Sequence, residues 1–75
     1  MNLHKVPAES ARIFNRAVTN EENIRADGSI DWDYVQADFY IDSSLPMALT
    51  DKVWDILVES YHMAPWERRK LEIVV

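Results

Sequence analysis

The sequence predicts an all-α domain, a small three- to four-helix bundle with a short C-terminal element of ambiguous form. Three observations lead there. Apolar residues recur at helical spacing over about residues 7–20 and again over 50–62. Between them, residues 31–42 begin with an aspartate in N-cap position and end in the turn-forming pair Ser43-Ser44. The punctuation is that of helix ends: prolines at 7, 46 and 65, and one glycine, Gly28, between the first two helices.

Residues 1–6 read as a short lead-in, mobile unless Leu3 and Val6 are tied down. Pro7 suits a first helical turn, where its missing N–H costs nothing. Ala11, Phe14, Ala17 and Val18 then share one face with Ile13 at its margin, and Glu9, Arg12, Arg16 and Thr19 lie opposite. Asn20 either ends this helix or caps one further turn through Ile24.

Arg25-Ala26-Asp27-Gly28-Ser29 is a turn, with glycine supplying the positive-φ position. Beyond it, Ile30-Asp31-Trp32-Asp33-Tyr34 alternates strictly, which admits a strand. Helix is preferred, because the alternation breaks at Tyr34-Val35. Asp31 as N-cap also spaces Ile30 and Val35 as a hydrophobic staple. Wound as a helix, 32–42 is apolar on two sides. Trp32, Val35 and Phe39 line one; Tyr34, Ala37 and Ile41 line nearly the opposite one, with Asp31, Asp38 and Asp42 striped along a seam between them. Such a helix is either central in its domain or half covered by a partner.

Thr50 is the expected cap of the third helix, with Leu49 and Trp54 spaced as a second staple. Val53, Ile56, Leu57, Ser60 and Tyr61 form its inner face, while Asp51, Asp55, Glu59 and His62 gather outside. Pro65 is placed to open a fourth short helix over 65–72, and the β-branched end, 71–75, fits a helix, a strand or a docked tail. The expected core is Phe14, Val18, Trp32, Val35, Phe39, Val53, Leu57 and Tyr61.

Seventy-five residues make one small domain, able to bury only about 60–65% of its unfolded surface, so packing must be tight or shared with another chain. Eight aromatic residues can supply that packing. With no cysteine, disulfide staples and thiolate metal sites are excluded. No apolar run approaches the ~20 residues that cross a bilayer, and the N-terminus lacks the pattern of a secretory signal, so a cytoplasmic, membrane-independent protein is expected. The net charge of −5 is concentrated: residues 1–19 sum to +2, 20–59 to −8 and 60–75 to +1. An acidic middle disfavours direct nucleic-acid binding and suits a basic surface on another protein.

The motifs that could carry chemistry are sparse. Glu59 and His62 have the i, i+3 spacing of a carboxylate–imidazole metal pair, yet the pair occurs once and the inward glutamates of a di-metal bundle are missing. Asp27, Asp31 and Asp33 share only their acid content with a calcium loop, since the glycine is misplaced and no glutamate closes the site. No nucleophile–base arrangement and no phosphate-cradling glycine loop is present, so no enzyme and no cofactor are expected. Trp66 beside Arg68-Arg69-Lys70 is the one basic–aromatic cluster, a candidate for touching phosphate or an acidic partner, although Glu67 and Glu72 nearly neutralise it and favour a plain exposed charged face. Asp31/Asp38/Asp42 and Asp51/Asp55/Glu59 form two acidic stripes whose charges lie about 6–10 Å apart, roughly a phosphate spacing.

The run Ile13-Phe14-Asn15-Arg16-Ala17, followed by Asp27-Gly28-Ser29-Ile30-Asp31-Trp32-Asp33-Tyr34-Val35-Gln36-Ala37-Asp38, resembles small uncharacterised proteins of tailed phages infecting marine cyanobacteria. The resemblance covers the first half of the chain and carries no catalytic motif. It implies a protein of the host bacterial cytoplasm that works by binding a host or phage protein.

The expected function is therefore a non-enzymatic interaction module, a phage-encoded modulator or inhibitor of a host protein. The candidate contact residues are Tyr34, Ile41, Asp31, Asp38, Asp42, Asp51, Asp55, Glu59 and Trp66. An isologous homodimer would cover the surplus face of the second helix. A DNA-mimic inhibitor and a metal-binding protein using Glu59 and His62 are the alternatives.

Overall fold

The computed structural model describes residues 3–63 and 70–74. Helix predominates. The order is strand β1 (Leu3–Pro7), helix α1 (Ala8–Thr19), a single 3-10 turn (Glu21–Asn23), helix α2 (Trp32–Asp42), helix α3 (Met47–His62) and strand β2 (Lys70–Val74).

The strands correct the expectation of an all-α chain. β1 and β2 pair in parallel, with Val6 in register with Ile73 and Lys5 with Glu72, so the two ends of the described chain close on each other. Residues 3–6 are thus no mobile lead-in. Val6 is fully buried and belongs to the core, which ties the segment down. Of the C-terminal alternatives, the strand is the one formed through Val74, in keeping with its β-branched residues. A helix over 65–72 is excluded at its end, where Lys70–Val74 is extended; residues 65–69 lie outside the described residues.

Pro7 closes β1 and stands as N-cap of α1, a position that asks for no N–H. At the far end, Asn20 does both things its sequence context allows. It ends α1, and its side chain accepts a hydrogen bond from the Glu22 N–H at 3.0 Å to start the 3-10 turn. The loop to α2 turns at Gly28, whose φ of +87° suits glycine alone without strain. Asp27 steadies that turn by accepting from both the backbone N–H and the hydroxyl of Ser29, and these bonds lower its pKa. Only a trace of the alternating strand pattern survives, as an isolated antiparallel bridge from Ile30 to Ile24. From Trp32 the chain is helical, and Asp31 accepts from the Tyr34 N–H as its N-cap.

α3 begins three residues earlier than Thr50, with Pro46 as its N-cap. The Thr50 hydroxyl is used elsewhere. Buried inside the helix, it meets the Ser43 hydroxyl at 2.9 Å and reaches the Leu45 and Pro46 carbonyls at 3.3 and 3.2 Å, fastening the α2–α3 loop. Leu49 consequently lies within the helix, half exposed, and not in the staple position before it.

The core consists of Val6, Ile13, Phe14, Ala17, Val18, Val35, Phe39, Val53 and Leu57. Phe14 is its hub: its ring meets Trp32, Phe39, Trp54 and Tyr61 at centroid separations of 5.7 to 6.4 Å. Trp32 is only half-buried and Tyr61 is 46% exposed, so neither is the deep core residue its spacing suggests. Both sit at the rim, where an amphipathic ring packs one face and leaves the other in water.

Candidate functional site

α2 carries the contrast on which a functional reading depends. Val35 and Phe39 are completely buried, whereas Tyr34 and Ile41, on the opposite side of the same helix, are 63% and 79% exposed. Ala37, between them along the helix, is exposed as well. The reason is geometric. α1 and α3 both pack on the Val35–Phe39 side, and no described element covers the Tyr34–Ala37–Ile41 side.

The aspartates of α2 are mostly engaged within the chain. Asp31 caps the helix and lies 3.7 Å from Arg25. Asp38 accepts at 2.8 Å from the side-chain amide of the buried Asn23, which also donates to the Ala17 carbonyl at 3.0 Å. This bridge ties α2 to the end of α1. Asp42 lies 3.6 Å from Arg16 on α1. The predicted stripe is therefore real as a line of residues, but two of its three charges face a guanidinium. Asp33, in the first turn of α2, is exposed; there it favours the positive end of the helix dipole.

On α3, Asp51 accepts a hydrogen bond from the Tyr40 hydroxyl across the α2–α3 seam. That bond, reinforced by partial burial and the negative charge nearby, raises the Tyr40 pKa. Asp55 is exposed and Glu59 is half-buried. His62 does not stand open beside Glu59 as a ready metal ligand. Its Nδ1 lies 2.9 Å from the Val58 carbonyl, and its ring packs tilted against Trp32 at a centroid separation of 5.1 Å and edge-on against Tyr61 at 5.7 Å. Among the described residues, no group of three or more His, Cys, Asp or Glu is placed to hold a metal ion. Trp66 lies outside the described residues.

The structure thus brings Tyr34 and Ile41 together on one open face and divides the acids between internal partners and the outer side of α3. Sequence reasoning missed the Asn23–Asp38 bridge and the Tyr40–Asp51 contact. Both join residues on different elements, so helical spacing carries no signal of them. It also missed the exposure of Met47, which follows from the early start of α3. Among the described residues no helix is long and apolar enough to cross a membrane. Compared with known proteins, the chain matches no family model, no curated protein and no solved structure.

Proposed function

We propose that this protein is a non-enzymatic interaction module that binds another protein through the outer face of α2, as a phage-encoded modulator of a host bacterial protein would. One observation carries the reading: a helix whose buried side is fully packed keeps a tyrosine and an isoleucine in water on the other. Single exposed apolar residues are ordinary, but a second apolar line on a helix already anchored by its first is the pattern of a contact surface. The Asn23 bridge adds to this, because it fixes α2 against the end of α1 before any partner arrives, while the solvent-screened Arg16–Asp42 and Arg25–Asp31 pairs contribute little.

Capture from host lysate tests the reading. The wild-type chain should retain a stoichiometric protein that the double variant Tyr34→Gln/Ile41→Gln releases. No stoichiometric partner, or one indifferent to the two substitutions, speaks against it.

A further inference from the structure

The outer face of α2 has a spacing that says what kind of surface fits it. Tyr34, Ala37 and Ile41 stand at i, i+3 and i+7, the a, d and a positions of a heptad, with a small residue between two large ones. Such a seam receives another helix, whose own side chains fill the space above Ala37. In heptad terms Asp33 and Asp38 then occupy the g and e positions that border the seam, and Tyr40, held by Asp51, occupies the next g. Charges at e and g decide which helices pair.

Two of the three border positions are aspartates, and the third is the uncharged Tyr40. Asp33 is exposed in the first turn, and Asp38 receives a hydrogen bond from a neutral amide, which leaves its charge in place. Among the described residues, the cations paired along α2 are Arg16 and Arg25, which lie against Asp42 and Asp31 instead. From Asp31 to Asp42 there is no lysine or arginine.

This arrangement discriminates between a second copy and a different chain. In a parallel pair of α2 helices, Asp33 of each copy meets Asp38 of the other. In an antiparallel pair, Asp38 of each copy falls opposite the other. Either way carboxylate faces carboxylate beside the seam. The isologous dimer that would hide Tyr34 and Ile41 is thus opposed by the charges next to them.

Resting on the reading of α2 as a contact surface, the geometry points to a partner helix with apolar a and d positions flanked by lysine or arginine at e and g. With a seam of about two helical turns, the contact is a weak, exchangeable one.

The test uses the full chain, isotope-labelled for NMR, and two synthetic helical peptides of about 20 residues. Both carry leucine at a and d; one has lysine at e and g, the other glutamate. The lysine peptide should perturb the amides around Tyr34, Ala37 and Ile41 and bind about fivefold or more tightly than the glutamate peptide. Asp33→Lys, on an exposed residue, should erase most of that preference, and Tyr34→Gln/Ile41→Gln should abolish the perturbation. Equal binding of both peptides on this face overturns the basic partner while leaving α2 as a contact surface. Binding elsewhere, or binding that survives the double variant, overturns both. With neither peptide bound, the inference falls, and the lysate capture alone decides the broader reading. Self-association in sedimentation that the double variant abolishes assigns the face to a second copy and likewise overturns the inference.

Discussion

Two residues of α2, separated by one position, should respond to truncation in opposite ways. Phe39 is completely buried and packs against both Phe14 and Trp54, with centroids at 6.3 and 5.4 Å. Phe39→Ala removes the ring and leaves a cavity that its rigid aromatic neighbours fill poorly, a loss of about 3–5 kcal/mol. A domain of 75 residues has a total stability of only about 4–11 kcal/mol. The variant should therefore stand at the edge of unfolding at room temperature. Ile41, 79% exposed, contributes no comparable packing. Ile41→Gln keeps a good helix former at the site and should change stability by no more than about 0.5 kcal/mol.

Urea unfolding followed by tryptophan fluorescence and by circular dichroism measures both. With a slope of about 1 kcal/mol per molar, Phe39→Ala should move the midpoint down by about 3–5 M and Ile41→Gln by less than about 0.5 M. A loss below about 1.5 kcal/mol for Phe39→Ala would mean the ring is not packed as described. A loss above that value for Ile41→Gln, growing with protein concentration, would show that the outer face is already covered by another chain and would undo the reading of α2 as free.

Other parts of the structure give sharper, smaller tests. Asn23→Ala deletes donors to the Ala17 carbonyl and to the Asp38 carboxylate, and should cost about 2–3 kcal/mol in the same unfolding experiment. Gly28→Ala meets no atom but forces φ near +87° on an alanine, so about 1 kcal/mol should be lost through backbone strain alone. Tyr40 holds its proton more tightly when folded than when unfolded, so its contribution to stability is complete below the ordinary tyrosine pKa of about 10 and declines as pH rises beyond it. Asp51→Asn removes the charge and leaves only a neutral, weaker acceptor, and should shift the late tyrosinate absorption to lower pH; an unchanged titration would discount the contact.

The parts of the fold legible in the sequence are those governed by local periodicity. Phe14, Val18, Val35, Phe39, Val53 and Leu57 follow from helical spacing alone, and all six are buried. Asp31 is legible as an N-cap because the cap is a local contact between a side chain and a backbone three residues on. What escapes is pairing across the whole chain. Nothing within Leu3–Pro7 marks it as a strand, since its partner lies more than sixty residues away, and a five-residue segment acquires that conformation from the ladder it joins. The start of α3 escapes for a related reason: Thr50 looks like a cap by type, but the competing role, fastening Ser43, Leu45 and Pro46, is tertiary.

The same division applies to the candidate site and gives it its meaning. That α2 has two apolar sides is written in its spacing; which side is covered is not, because coverage depends on where α1 and α3 pass. Once Val35 and Phe39 are taken by the core, Tyr34 and Ile41 cannot also be. The surplus is then a property of the folded chain and not of composition. Replacing those two residues with polar ones should cost little stability, since both are largely exposed. Beside them at the border of that face, Asp33 is exposed and Asp38 is held by Asn23, while the two arginines pair with Asp31 and Asp42 away from the seam. A complementary helix would thus meet apolar area at the centre, carboxylates at the border, and a scaffold whose stability does not depend on the contact being made.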